Sequence, residues 1–174
     1  MKHITMTLIL LIFSTFLFAC EDPNPEIRTP NYAFVEFDLE YMALEEAIAK
    51  AYENDKKVLI DVYTDWCGYC RRMQHEVYPS KLVQDVIEDY FYYVRIDAES
   101  TDMLTFNGER MTKQHFARAL GATSYPSTVF LDSRGQPIGM QPGFMEAKQF
   151  SSILAFVGSD SFTKMTYEEF QKNN

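Results

Sequence analysis

The sequence is poor in the residues that metal and nucleic-acid sites depend on. Among 174 residues it holds three histidines and three cysteines. A structural zinc site takes four ligands, and neither His75 nor His115 stands at a finger-like spacing, so no metal is expected. Cations are scarce too: 16 Lys and Arg face 25 Asp and Glu, a formal charge of −9. The sequence pI is about 4.8. A surface of that sign repels phosphate backbones, which argues against a nucleic-acid partner, and it gives no attraction to anionic lipid. Internal repeats and low-complexity tracts are absent, and nothing signals a nucleotide or haem site, so no cofactor is expected. What is present suits one globular domain with short extras: 47% hydrophobic and 15% aromatic residues can build a sizeable core.

The first twenty residues stand apart. A short basic start, "MKH", precedes "ITMTLILLIFSTFLFA", apolar and uncharged up to Cys20. This run is marginal for a spanning helix, which needs about 20 residues, and reads better as the core of a signal peptide over residues 1–19. A small-x-small cleavage pattern is missing. Instead "LFAC" (Leu17 to Cys20) resembles the lipobox of bacterial lipoproteins, which implies cleavage before Cys20 and lipidation of its sulfur. Several acyl chains on one residue make a stable anchor. The alternative is an uncleaved anchor with a chance cysteine. Cleavage would remove Lys2 and take the formal charge from −9 to −10. The following "EDPNPEIRTPN", with three prolines and one large aliphatic residue, reads as a tether over 20–32. Extended, it would span on the order of 30 Å.

A domain over 33–174 follows. "AFVEF" (33–37) predicts a strand, with Asp38 as cap for the next segment. Leu44, Ala47, Ile48, Ala51 and Tyr52 recur at helical spacing, and Asn54 and Asp55 end that helix. "KVLIDVY" (57–63) is nearly all apolar and β-branched, as in a strand covered on both faces. "CGYCRRMQHEVY" reads as a helix, and "SKLVQDVIEDY" as a second helix capped by Ser80. "FYYVRID" (91–97) is another inner strand. The stretch 98–111 is polar and without period, with a turn at Asn107-Gly108. Thr112 caps a short helix, and Gly121 stands just past its end. "STVFL", the turn "DSRG" and "QPIGMQ" form a hairpin. "MEAKQFSSILAFV" is a closing helix with Phe150, Ile153, Leu154 and Val157 on one face, and "TYEEFQK" adds a last short one. Strands alternating with helices imply a sheet covered by helices, and the hairpin makes that sheet mixed.

The remaining cysteines, Cys67 and Cys70, lie three apart behind an inner strand. At the first turn of a helix, Cys67 would meet free backbone N–H groups that favour thiolate over thiol. Cys70 lies on the same helix face, within disulfide reach. A disulfide closing so small a loop removes little chain entropy, so a purely structural staple is a poor reading. In a βαβ setting the pair reads as a redox centre, and an oxidising compartment would let it hold a disulfide. Asp61 shares a strand face with Leu59 and Tyr63, which turns it inward beneath the helix. A buried carboxylate there should have a raised pKa and could pass a proton to or from Cys70. The alternative is an acid near a strand end, bonded to backbone or water.

"VLIDVYTDWCGYC" resembles the active-site strand and helix of thioredoxin-like proteins, and "TSYPSTVFLDSRGQPIGMQPGF" is similar to their cis-proline segment, hairpin and following glycine. The likeness spans roughly residues 34 to 157, in the branch of envelope lipoprotein and periplasmic domains. It implies a thioredoxin fold: an α/β domain whose central mixed sheet carries helices on both faces. It implies that Cys67 attacks and Cys70 resolves through a redox disulfide, with Asp61 as the buried acid. Trp66, Gly68 and Tyr69 would flank the site, and Trp66 could otherwise be a core aromatic. Pro126 matches the cis-proline, Tyr125 would pair its backbone with a substrate strand, and Gly143 matches a close-approach glycine.

Four departures stand out. Gly68-Tyr69 replaces the Gly-Pro of reducing thioredoxins, and His75 stands where a proline is usual. Tyr93 replaces the lysine beside the buried acid, and the insert near 98–111 is long. Arg71 and Arg72 would either favour the thiolate or form a solvated helix face; His75 reads as a surface or packing residue. The expected activity is thiol-disulfide exchange with, or reduction of, disulfide-containing or dithiol envelope proteins. The protein would face the periplasm on a lipidated Cys20 and be recharged by a membrane thiol reductant. The alternatives are an oxidase or isomerase of the same fold, and a non-catalytic binding module using the Tyr125-Pro126 face.

Overall fold

In a computed structural model of the protein, the described residues are 41–173. The expected signal, the lipidated Cys20, the tether, the strand at 33–37 and Asp38 lie outside them. Helix α1 (Leu44–Asn54) leads into strand β1 (Lys57–Tyr63). Helix α2 (Gly68–Arg72) continues into a π-helical turn, Met73–Val77, and helix α3 (Lys81–Tyr90) feeds strand β2 (Phe91–Asp97). A small hairpin, β3 (Met103–Phe106) and β4 (Glu109–Thr112), precedes helix α4 (Lys113–Ala119). Strands β5 (Ser127–Leu131) and β6 (Pro137–Pro142), helix α5 (Ala147–Gly158) and helix α6 (Tyr167–Asn173) complete the order.

Among the described residues the sheet runs β2-β1-β5-β6, so β2, expected as an inner strand, borders it there. β1 is parallel to β2 and antiparallel to β5, and β5 is antiparallel to β6, so the sheet is mixed as expected. β1 lies inside it, which is why its sequence runs apolar without strict alternation. Val58, Ile60 and Val62 enter one core with Leu44, Ala47 and Ala51 of α1 and with Phe116 and Ala117 of α4. Leu59 enters the other with Met73, Val77, Val83, Ile87, Phe150 and Leu154. Helices thus cover both faces. The first turn of α1 is preceded by Ala43, whose side chain makes no cap bond, so the helix starts later than the sequence suggested. Tyr52, expected on its buried side, is exposed, while Leu44, Ala47 and Ala51 are buried.

Three local results refine the sequence reading. First, the polar stretch 98–111 is not structureless. Phe106 pairs with Glu109 around Asn107-Gly108, both at positive φ (52° and 81°), the conformation a two-residue hairpin loop requires. The turn was legible but the strands were not, being four residues each; the hairpin is fastened by Leu104 in the core and by Phe106 edge-on to Phe116 at 5.0 Å. Second, the helix after the cysteines changes to π geometry at Met73. The wider turn lets Met73, Val77 and Tyr78 all reach the core. Third, Ser80 holds the N-cap position of α3 but its hydroxyl makes no cap bond; its carbonyl accepts from Val83 and Gln84 instead. Thr112 does cap α4, accepting the His115 N–H at 3.1 Å.

At the far end of the molecule, Gly158 is required by contact: a Cβ there would lie 2.6 Å from the Tyr90 ring. That contact lets α5 lie against α3. Among the described residues no helix is long and apolar enough to cross a membrane, and none of their His, Cys, Asp and Glu side chains form a group able to hold a metal ion.

Candidate functional site

The loop from β1 to α2 delivers both cysteines to one spot. Cys67 is the N-cap of α2, and its Sγ accepts the Cys70 N–H at 3.0 Å. Its own N–H donates to the Thr64 carbonyl (3.1 Å), and its carbonyl accepts from Arg71 (3.2 Å). Cys67 and Cys70 are joined by a disulfide, S–S 2.08 Å, with Cα atoms 5.2 Å apart. Both sulfur-bearing residues are nearly covered. Cys67 therefore sits one residue before the first helical turn, not within it, and this is the position where a side chain takes up an unused backbone donor.

The residues that flank the pair in sequence are joined through a series of contacts. Trp66 is 65% exposed, so it does not belong to the core, and it stands edge-on to Tyr125 at 6.0 Å. The Tyr125-Pro126 bond is cis. The Pro126 carbonyl accepts the Gly143 N–H at 2.8 Å, and Phe144 lies 5.7 Å from the Tyr69 ring. Trp66, Tyr125, Pro126, Gly143, Phe144 and Tyr69 thus follow one another in a chain of contacts that leaves from the residue before Cys67 and returns to the residue before Cys70. Phe144 was missed by the sequence reading; its position directly after Gly143 is the signal that could have found it. Gly143 has φ +89°, which a glycine tolerates, while a Cβ there would meet nothing within 4 Å. Its requirement in the chain is conformational rather than a close approach between protein atoms. Gly68 leaves the surface between the cysteines open, with only an Arg71 side-chain atom within 4 Å of a would-be Cβ.

The arginines beside the site are engaged. Arg72 pairs with Glu76 at 2.8 Å and lies 4.4 Å over the Phe144 ring, and Arg71 donates to the Asp65 carbonyl at 2.8 Å. His75 points outward from the π turn.

Against the turn that follows the cysteine-bearing helix, Asp61 is 1% exposed. Its Oδ2 accepts from Gln74 Nε2 (2.9 Å), Arg95 Nε (3.1 Å) and the Tyr93 hydroxyl (3.4 Å). Burial pushes the Asp61 carboxyl above its usual range; Arg95, by charge and hydrogen bond, then Gln74 and Tyr93 pull it partly back. Burial, with the Asp61 charge behind it, drives the Tyr93 and Tyr78 phenols well up, so both stay protonated through any working pH. Tyr93 does stand beside the acid, as expected from its place in "YYVRID". Arg95 and Gln74 were missed. Arg95 owes its place to the register: the two strands align residue for residue, Lys57 with Phe91 through Tyr63 with Asp97, which sets Arg95 opposite Asp61. The signal for Gln74 was its place four residues after Cys70, on the same helix face.

The thioredoxin-like domain family matches residues 44–158. The thiol:disulfide interchange protein DsbD of Colwellia psychrerythraea is 32% identical over 111 residues, 63% of this chain and 17% of that protein. DsbD of Salmonella typhi is 30% identical over 115 residues, 64% of this chain and 18% of that protein. The chain thus spans less than a fifth of the length of these curated relatives. Among solved structures, a thioredoxin-fold protein from Helicobacter pylori superposes with a TM-score of 0.61 at 24% identity, covering 69% of this chain and 80% of that one. A thioredoxin from Thermus thermophilus gives 0.54 at 22%, covering 67% and 85%. These two likenesses establish the fold, and the family match covers most of the described residues around an intact CxxC pair. The chain belongs to the thioredoxin-like family of thiol-disulfide oxidoreductases.

Proposed function

We propose that this thiol-disulfide oxidoreductase exchanges or reduces disulfides of envelope proteins, with Cys67 attacking and Cys70 resolving. The observation that carries the reading is the Cys67 Sγ at the N-cap, holding the Cys70 N–H at 3.0 Å. A backbone donor aimed at the sulfur stabilises the thiolate, which is the nucleophile of exchange. Starting from the dithiol, Cys67 thiolate attacks one sulfur of a partner disulfide. A mixed disulfide forms, and the first partner sulfur leaves as thiolate and takes a proton from water. Cys70 then gives its proton to Asp61 and attacks the Cys67 sulfur. The bond to the partner breaks, the second partner thiol is released, and Cys67–Cys70 closes. Two electrons have passed from the pair to the partner. A membrane thiol reductant would restore the dithiol.

The exposed Trp66 and Tyr69, with Tyr125 and Phe144, supply the surface on which a partner segment would lie. The name of the curated relatives, thiol:disulfide interchange protein, supports exchange with proteins. The envelope setting rests on the lipobox-like Leu17–Cys20, with residues 1–19 as signal, 20–32 as tether and 33–174 as the working domain.

The test is a Cys70→Ser variant, which should accumulate mixed disulfides through Cys67 in envelope extracts, together with insulin reduction by the wild type. Failure to reduce insulin with a suitable reductant, with partner binding unchanged in Cys67→Ser, would favour the binding-module alternative. The midpoint potential of the pair decides between reductant and oxidase or isomerase.

A further inference from the structure

Asp61 is gripped along one edge. Three donors converge on Oδ2, while Oδ1 is buried and has no hydrogen-bond partner. A buried carboxylate oxygen without a partner is unfavourable in a purely structural acid. The grip is built by strand register. Asp61 and Arg95 are cross-strand partners in the parallel β1–β2 pair, and Tyr93, two residues earlier on β2, shares the Arg95 face. The Arg95 guanidinium lies 4.1 Å over the Tyr63 ring, and its side chain is 21% exposed. Its Nε reaches the carboxylate while its outer end meets water. The groups acting on Asp61 are Arg95 and Tyr93 from β2 and Gln74 from the π turn. Tyr78 beyond that turn and Tyr63 on the same strand feel its charge in return. Asp65 and Asp97 act on Tyr63, at the outer end of this group. Arg95 is the cation among them.

We propose that Arg95 is a positioning residue for the exchange reaction: with Gln74 it locks the Oδ2 edge of Asp61 and leaves Oδ1 as the atom that takes the proton from Cys70. This rests on the reading of Asp61 as proton acceptor given above. In the resolving step, the Cys70 S–H bond breaks and its proton goes to Oδ1. The Cys70 electron pair forms the bond to the Cys67 sulfur, and the partner sulfur leaves with the electrons of the old disulfide bond. No further oxidant or reductant enters. Arg95 keeps Asp61 ionised at the pH where this transfer is needed, because an opposite charge at hydrogen-bond distance favours the carboxylate. It also keeps the carboxyl from turning its free edge away.

The test is the pH profile of the resolving step, read as release of the second thiol when the reduced full chain reacts with oxidised glutathione between about pH 5 and 9. Arg95→Met should move the rising limb of the profile up by about one unit, so that resolution is about tenfold slower on the acid side of the limb. Arg95→Lys should recover part of that shift, and Arg95→Gln, which keeps a donor but no charge, should not. Combining Arg95→Met with Asp61→Asn should add no shift to that of Asp61→Asn alone. The lysine and glutamine variants carry the test if the methionine variant does not fold. A limb that stays in place in every Arg95 variant, with or without a uniform loss of rate, overturns the proposal while a moved limb in Asp61→Asn leaves the acid's role standing. An unchanged profile in Asp61→Asn removes both.

Discussion

Strand β1 buries two charged residues, Lys57 at its start and Asp61 four residues on, and the chain treats them differently. Lys57 Nζ is tied twice, to the Gly158 carbonyl at 3.0 Å and to Asp160 Oδ2 at 3.0 Å. Both acceptors lie at the end of α5, where unused carbonyls and the negative end of the helix favour a cation. Asp61 takes its bonds on one oxygen and leaves the other buried and bare. The ammonium is fastened and its bonds fix where α5 ends against the sheet. The carboxylate is held so that one atom remains available. Burial of charge by itself is thus no mark of a working group; the role proposed for Asp61 rests on an acceptor oxygen left without a hydrogen bond on a buried, one-sidedly held acid.

The largest effect should come from Asp61→Asn. An amide of the same size keeps the packing but cannot take a proton, so the resolving step should slow on the order of 100-fold at neutral pH. Single-turnover kinetics with oxidised glutathione measure it. Folding should not suffer, because the substitution removes a buried charge that desolvation disfavours. Lys57→Met should do the reverse. It leaves the buried Gly158 carbonyl without its donor, at about 1–3 kcal/mol in urea unfolding, and leaves exchange kinetics unchanged. If Lys57→Met slowed exchange as strongly as it lowered stability, the division between fastening and working charge would be lost.

How legible this was in the chain depends on which physical signal a residue leaves. β1 and β2 were readable to the residue: β1 because an inner strand must be apolar on both faces, β2 because its run is aromatic and β-branched between a helix and a polar stretch. Asp61 stood out for the same reason, as an acid inside such a run. Cys67 and Cys70 announce themselves by spacing. The Lys57 bonds were not readable: they depend on where α5 ends, about a hundred residues away in sequence, and no local pattern encodes that. The π turn was hidden because it changes the helix by one hydrogen-bond step without any proline or glycine to mark it. Arg95 was hidden for a different reason. It is an ordinary surface-type residue on a strand, and acquires meaning only when β1 and β2 are laid side by side in register. The hairpin at 103–112 was marked by its Asn107-Gly108 turn, but its four-residue strands are too short to show alternation.

The pH dependence of stability sharpens the same contrast more gently. The folded-state pKa of Asp61 is raised, with burial the main cause, so the folded protein holds a proton that the unfolded chain gives up near 3.8. Its stabilising contribution is complete below that value and is lost as pH rises through the folded pKa. The stability of Asp61→Asn minus that of the oxidised wild type should therefore grow with pH across this window. The gain is about 1.4 kcal/mol per unit of raised pKa, and urea unfolding at a series of pH values follows it. A difference that stays flat would mean that Arg95, Gln74 and Tyr93 cancel the cost of burial, and Asp61 would then resemble Lys57, a settled charge.

The smallest effect concerns Thr64, the residue just past β1 at the Asp61 end of the strand. Its hydroxyl is buried and lacks a hydrogen-bond partner, while its backbone carbonyl accepts the Cys67 N–H. Two bare buried oxygens, Asp61 Oδ1 and Thr64 Oγ1, therefore belong to the same short stretch, and they are not equivalent. A hydroxyl keeps its proton throughout and can only relay one, whereas the carboxylate can store it. Thr64→Val removes the unbonded hydroxyl with little change of shape and keeps the backbone bond to Cys67. It should raise stability by up to about 1 kcal/mol and leave the limb of the resolution profile where it is. A limb displaced in Thr64→Val as far as in Asp61→Asn would make the hydroxyl a step on the proton's path, and the working end of β1 would then be a pair of residues rather than one acid.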